Sequence, residues 1–578
     1  MTGKRIAVVA ILLMLLCMAL VGGQYGAGAF LLQRLDLDPS TVGLFTLSDY
    51  YGAYGQMEGT VGKLIKLSLA LSFLPAILIV VMGLAAAFSG KSKVDKLYGD
   101  ARFSTDAEIA KADMFYKPDR QAKWPAVLLG KKGNRYIADY SQEYTTLSAE
   151  PGAMKGVSFV IPNLLTYDHS MIVFDPKTEN FSITAGYRHA EMGQEVYQFS
   201  PDNRDFKSHC WNPLDYISDD PRRTLSDVKT LTSILLDAPE GPNQGFYLTA
   251  RDALNGILMY MMETPEVERT MYQADAINTV AIGFDKWVTT TVAARANTDR
   301  PLSDLTVRLL AGYAKAEEKS RNITRGIIST ALSVFTDAMA RAATRKSDFS
   351  FHDLRKKRMT IYVAIQPDNI GKYEKMLNIF FSQAISVNTG LLPEEGPKDE
   401  HGEPVLKYQC LALLDEFVAL GRIQIIEKSS GYTRAYNMRY ACVFQNRDQV
   451  FSEKCYGRAA GMALLGTMHN EIVFATESTS DAEEYSKRLG NTTLKYKDRS
   501  HGRSSGGSST NDSIRRESRA LMLPQEIQRL PRNEQIIFKK GGKVPHPIHC
   551  EKIIWYQDPF FKPRANLPTP EVPDMEFH

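Results

Sequence analysis

The chain lacks several features that would narrow its class at once. Its 578 residues contain no CxxC pair and no spacing of ligands that would hold a metal. The six cysteines, Cys17, Cys210, Cys410, Cys442, Cys455 and Cys550, are scattered. In a chain this large that argues against a disulfide scaffold and for reduced thiols in a cytosolic body. An excess of one charge is lacking too. The net charge of +3 gives no argument for nucleic acid, although an average can hide a pore lined with Lys and Arg. The standard phosphate-loop pattern, G-x-x-x-x-G-K-[ST], is not met either, so a nucleotide site has to be argued from other residues. What is present is length for two or three domains and, at 44% hydrophobic and 23% charged, material for a large core.

Two long uncharged runs open the chain. Residues 6–26, IAVVAILLMLLCMALVGGQYG, match the roughly 20 residues that a bilayer-crossing helix needs. Residues 67–88, LSLALSFLPAILIVVMGLAAAF, form the second run, and Pro75 is tolerable in a membrane helix. Lys4 and Arg5 precede the first run; Lys91, Lys93 and Lys96 follow the second. The positive-inside rule then places both ends in the cytoplasm and residues 27–61 outside. Lys63 and Lys66 sit at the outer end of the second run and oppose that orientation. A cleaved signal peptide is the alternative for the first run, but the run is long for one and the Gly/Ala stretch near Gly28 makes a poor cleavage site. The pair reads as a two-span hairpin anchor over residues 1–90.

Residues 91–140 are basic and mixed, as in a connector. From about residue 141 the pattern becomes α/β: EYTTLSA (143–149), a turn with Pro151 and Gly152, a helix over 155–165, and the apolar strand SMIVFD (170–175) ending in an acid. Residues 224–345 have helical apolar spacing and few strand signals. Strand patterns return at MTIYVAIQ (359–366), CLALLDEF (410–417), MRYACVFQ (438–445) and NEIVFAT (470–476). An α/β domain in two parts, 91–223 and 346–566, is therefore expected around an all-α insertion. The low-complexity stretch 498–515 is expected to be a mobile loop, and residues 567–578, with three prolines, the start of a C-terminal linker or tail.

LALLDEFVALGR carries the most chemistry. A buried apolar strand that ends in Asp415 and Glu416 presents two carboxylates at its tip, the Walker B arrangement: one orders Mg²⁺, the other polarises the attacking water. The alternative is an acidic pair that caps the next helix. The turn after residue 149 reads Pro151, Gly152, Ala153, Met154, Lys155, Gly156, Val157. Lys155 stands at a strand-to-helix turn, where a phosphate-binding lysine belongs. Met154 stands where the preceding glycine belongs, and Gly156 where the Mg²⁺-binding hydroxyl belongs. Gln445 ends the run YACVF and is either a γ-phosphate sensor or a solvated strand-end amide. Arg422, Arg434 and Arg439 are surface charges or, for one of them, an arginine finger across a ring interface.

Further stretches extend the pattern: KGVSFVIPNLLTYDHSMIVFDPKTEN, SHCWNPLDYI, LALLDEFVALGRIQIIEK, FATESTSDAEEYSKRLGN and LMLPQEIQRLP. With these the chain resembles the coupling-protein ATPases of type IV secretion and conjugation, the TraG/TraD family, over most of residues 95–560. It looks most similar to the DotL-type proteins of Dot/Icm (type IVB) systems. The resemblance implies a RecA-like P-loop nucleotide-binding domain with an inserted all-α domain, ATP and Mg²⁺, and a homo-hexamer at the bacterial inner membrane with its main body cytoplasmic. It implies partners among secretion-system subunits, adaptors and effector proteins, with a relaxase–DNA complex as the conjugative alternative. It makes Lys155 the P-loop lysine, Asp415 and Glu416 Walker B, Gln445 the sensor and Arg434 the finger. Gly156 after the lysine is normal there, whereas Met154 departs from the family's glycine and leaves a slow site, or a receptor scaffold, as a further reading.

Overall fold

A computed structural model describes residues 3–88, 97–239, 241–504 and 507–577, in two compact units divided near residue 95. In the first unit, helix Gly3–Arg34 is followed by the short helix Thr46–Tyr54 and then by Thr60–Ser72 and Leu74–Phe88. Two stretches, Leu13–Arg34 and Thr60–Met82, are long and apolar enough to cross a membrane. They differ from the expected runs: the first helix continues through residues 27–34, and Lys63 and Lys66 lie inside the second stretch rather than at its edge. Pro75 falls at the start of Leu74–Phe88, where its missing N–H costs nothing. The helices meet at Gly23, where a Cβ would stand 2.0 Å from the Ser72 carbonyl oxygen. Small residues permit such backbone approach, the usual means of helix association in lipid. Lys91, Lys93 and Lys96 lie outside the described residues.

The second unit is built on one eleven-stranded sheet and a separate hairpin. The strands are β1 (Val127–Lys132), β2 (Arg135–Asp139), β3 (Thr145–Ser148), β4 (Ser170–Phe174), β5 (Glu195–Phe199), β6 (Met359–Val363), β7 (Cys410–Leu414), β8 (Met438–Phe444), β9 (Asn470–Val473), β10 (Asn491–Ser504), β11 (Gly507–Ala520), β12 (Glu534–Lys539) and β13 (Ile548–Glu551). The sheet order is β2-β1-β13-β12-β9-β3-β8-β7-β4-β6-β5, and β10 pairs only with β11. From β9 to β5 all neighbours are parallel; β12, β13, β1 and β2 add antiparallel partners at one side. Strands β4, β6, β7 and β8 are buried along their whole length. Covered on both faces, they read as continuous apolar runs rather than alternating ones, which is what made them visible in the sequence.

Between β5 and β6 the described residues form helices only, from Pro221–Leu235 to Ala338–Ala343. Helix Gln244–Met262 shares a single core with the face of the sheet that carries Phe174 and Phe199, together with Trp211 from the segment after β5. The expected α/β fold with an all-α insertion is thus what the chain adopts.

Three expectations are corrected. Residues 91–140 are not merely a connector: they contain helix Asp106–Lys111 and the β1–β2 hairpin, which extends the sheet. Of residues 498–515, read as a mobile loop, 498–504 and 507–515 belong to the β10–β11 hairpin, paired from Asn491↔Ala520 to Ser504↔Gly507. A two-stranded ladder needs only backbone partners, so Gly/Ser-rich composition does not forbid it. Residues 567–577 are no free linker. The Met575 N–H donates to the Phe206 carbonyl, the Ser208 N–H to that of Pro573, and Met575 is buried in the main core.

Candidate functional site

In an open parallel sheet, ligands collect at the carboxyl tips of the strands. Three adjacent tips matter here. Ser148 of β3 pairs with Phe444 of β8, and Cys442 of β8 pairs with Leu414 of β7. The turn at 149–156, Gln445, and the acids Asp415 and Glu416 therefore follow three neighbouring strands in that spatial order. Phe174 of β4 pairs with Leu414, which sets Asp175 beside Asp415.

The turn after β3 is tight. Gly152 and Met154 both have left-handed backbones, φ +76° and +67°. Glycine takes that region freely, whereas a side chain there costs about 1–2 kcal/mol. Lys155 then enters a single π-type turn, Gly156–Val160, continued by Ile161–Leu164. Such turns recur at functional sites. The Lys155 ammonium meets Glu416 Oε1 at 2.5 Å, with the two side chains 13% and 30% exposed. Glu416 also has a left-handed backbone, φ +56°, which turns the chain sharply off β7. The acidic pair does not cap a helix with its side chains: neither carboxylate makes a cap bond to the following Phe417–Leu420 turn.

Asp415 is half-buried, and loss of solvent raises its pKa to about 6 against the opposing pull of Lys155. Asp175 is fully buried and is pushed to about 7, again chiefly by burial. Its carboxylate accepts the N–H groups of Asn180 and Phe181 and so caps helix Glu179–Ala190. In the sequence Asp175 shows only as an acid closing an apolar strand; its neighbour across the sheet, which gives it a role, is not visible there. Among the described residues no group of three or more His, Cys, Asp or Glu could hold a metal ion by itself. One or two carboxylates completed by phosphate oxygens and water is the usual Mg²⁺ arrangement, and this donor set fits that form.

Gln445 is half-exposed at its tip; its side-chain oxygen accepts from Gln449 at 3.1 Å. Arg434 is not brought to this cluster. It lies 5.5 Å from the ring centroid of Tyr144, before β3 begins, whereas Lys155 follows the end of β3. The length of that strand and its flanks, on the order of 15 Å, separates them. His469 Nδ1 lies 3.4 Å from an Arg434 nitrogen but donates to the Thr467 carbonyl, so this is a contact and not a hydrogen bond. Of the other arginines, Arg422 is paired with Glu427 at 2.9 Å and Arg439 is buried against Asp139 at 2.9 Å. Arg434 has no carboxylate partner among the described residues.

Met154→Gly is expected to raise nucleotide affinity, by up to about tenfold, because the turn then carries no Cβ cost and the chain can approach a phosphate closely. Titration of both proteins with a fluorescent ATP analogue checks it; equal affinities would mean that Met154 does not limit the loop.

Comparison with known proteins adds to this geometry. The profile of the family described as Type IV secretory system Conjugative DNA transfer matches residues 92–575. The protein VirD4 of Rhizobium radiobacter is 27% identical over 489 residues, 82% of this chain and 67% of that protein, so the match spans about two thirds of the relative's length. The conjugal transfer protein TraG of Escherichia coli is 24% identical over 561 residues, 90% of this chain and 86% of that protein. Among solved structures, the bacterial conjugative coupling protein TrwB, in an unbound form, superposes with a TM-score of 0.56 at 13% identity, over 82% of this chain and 97% of that one. The fold is thus a TrwB-like one. TrwB has also been solved with a non-hydrolysable ATP analogue and with ADP and Mg²⁺.

Proposed function

The chain belongs to the Type IV secretory system Conjugative DNA transfer family, and from that premise we propose that it is the inner-membrane coupling ATPase of a type IV secretion system. It recruits effector proteins and delivers them to the secretion channel, driven by ATP. The observation that carries this reading is the convergence of Lys155, Asp415 and Glu416 from the tips of β3 and β7, on either side of β8, with Lys155 and Glu416 in contact at 2.5 Å. The loop from Pro151 through Gly152, Ala153, Met154, Lys155, Gly156 and Val157 takes the phosphates on its N–H groups and the lysine. Asp415 orders Mg²⁺, Glu416 polarises the attacking water and Gln445 senses the γ-phosphate. Arg434 serves the site of the next subunit in a homo-hexamer. ATP and Mg²⁺ as ligands are supported by the TrwB structures that hold an ATP analogue and ADP with Mg²⁺.

Two membrane-length helices precede the body and support attachment to a membrane. We assign them to the inner membrane with both ends cytoplasmic. Reporters fused after residue 45 and after residue 100 are expected to signal from opposite sides, and signals from one side would overturn the topology. Partners on this reading are other secretion-system subunits, adaptors and effector proteins. The DotL-type assignment to a Dot/Icm system rests on the resemblance of the sequence stretches quoted above.

A conjugative reading, in which the chain moves a relaxase–DNA complex, is favoured by the family's description and by the likeness to TraG. A receptor scaffold with a slow nucleotide site is favoured by Met154. Nucleotide titration of the purified protein separates motor from scaffold: no binding of ATP would sink the ATPase. Subunits co-purified from membranes separate the cargoes, adaptors and effectors on one reading, relaxase and DNA on the other.

A further inference from the structure

Lysines are rarely buried without an acidic partner, because the ammonium loses its water and gains nothing in return. Lys552 is only 6% exposed. It directly follows β13, which runs in the same direction as β3 because two antiparallel steps, β9 to β12 and β12 to β13, lie between. Its side chain therefore starts from the same edge of the sheet as the turn at 149–156.

There the ammonium donates to the Ala153 carbonyl at 3.2 Å and stands 3.5 Å from the ring centroid of Phe474, a buried residue at the tip of β9. No carboxylate among the described residues pairs with it. The charged group that acts on it is Arg532, of the same sign; that repulsion adds to burial, the larger cause, and holds its pKa down at about 8. The site thus contains a buried cation with a ring and a carbonyl around it and no counter-ion among the described residues.

The carbonyl it holds belongs to the Ala153–Met154 peptide. In a trans peptide the C=O and the following N–H point in opposite directions. Drawing the Ala153 oxygen toward Lys552 turns the Met154 N–H the other way. That N–H has no hydrogen-bond partner among the described residues, and it belongs to the left-handed Met154 just before Lys155. Successive N–H groups in such a turn form an anion-binding concavity.

We propose that Lys552 is a second, positioning lysine of the nucleotide site: it orients the Ala153–Met154 peptide for a phosphate, and the nucleotide's phosphates supply the counter-charge that the protein withholds. The inference rests on the ATP-binding reading of the same loop.

The test uses the full chain in detergent, as native protein, K552M and K552R. Two quantities are read: affinity for a fluorescent ATP analogue with Mg²⁺, and the thermal midpoint without nucleotide. K552M replaces an uncompensated charge beside an aromatic ring with an apolar chain of similar length. It is expected to melt no lower than the native protein while binding nucleotide about 10–100-fold more weakly, the weight of a hydrogen bond to a charged group. K552R keeps the charge and is expected to bind within severalfold of native. A K552M protein that binds like the native one overturns the inference and leaves the ATPase reading standing. The same holds if affinity and thermal midpoint fall together and K552R restores neither, which marks a purely structural lysine. Native protein that binds no nucleotide overturns both.

Discussion

Glu416→Gln is expected to turn ATP over about 10²–10⁴-fold more slowly than the native chain, the range for loss of a positioned general base, and to bind it somewhat more tightly. The first effect follows if Glu416 polarises the attacking water, since the amide keeps the shape of the carboxylate and loses its charge. The second follows from the structure. Lys155 is occupied by Glu416 at 2.5 Å, so a nucleotide has to take the ammonium away from a carboxylate. The pair is partly exposed, and such pairs are worth about 0–1 kcal/mol, which limits the gain to roughly fivefold. Glu416 has a left-handed backbone that the substitution does not relieve, so the thermal midpoint is expected to stay near the native value. Single-turnover hydrolysis and equilibrium titration measure the two effects separately. Unchanged transport in cells that carry the variant would remove hydrolysis at Glu416 from the mechanism and favour the scaffold.

Arg434→Ala is expected to lower turnover by about 10³–10⁵-fold, the range over which a finger operates, while leaving nucleotide affinity of the isolated subunit nearly unchanged. The two halves of this expectation have different causes. Arg434 lies beside Tyr144 at the start of β3, and the phosphate loop lies beyond its end, so the side chain does not serve the site of its own subunit. It is half-buried with no acidic partner among the described residues, unlike Arg422 and Arg439, whose charges are met by Glu427 and Asp139. Mixing Arg434→Ala subunits with Glu416→Gln subunits is expected to recover activity at those boundaries where an intact acid meets an intact finger. Mixed rings that recover nothing at any ratio would count against action between subunits.

The strands that build the centre of the sheet were legible in the sequence for a physical reason. Those of β4, β6, β7 and β8 are covered on both faces, so nearly every position is apolar, Ser170, Thr360 and Arg439 excepted, and the run stands out against its polar ends. The helical insertion was legible because its amphipathic spacing runs for many turns. β1, β2, β12 and β13 were missed because they form the antiparallel side of the sheet and mix Lys, Arg and Glu with their apolar residues, which breaks the run. The docked tail was missed because prolines read as a linker whether or not the chain finds a groove. Met575 and the hydrogen bonds to Phe206 and Ser208 decide that, and none of them is a local signal.

By itself the sequence determined the chemistry on offer: an acidic pair at the end of a buried strand, a lysine at a strand-to-helix turn, and two runs apolar enough for a membrane. Those depend on residue type and near-neighbour spacing, which the chain carries locally. Only the tertiary structure decided which of these groups meet. Sheet order set Asp175 beside Asp415 and Gln445 between the loop and the acids, and left Arg434 at the far end of its own strand. It also brought Lys552, some four hundred positions away in the chain, under the carbonyl of Ala153. Pairing between distant strands sets such distances, and no stretch of sequence contains them.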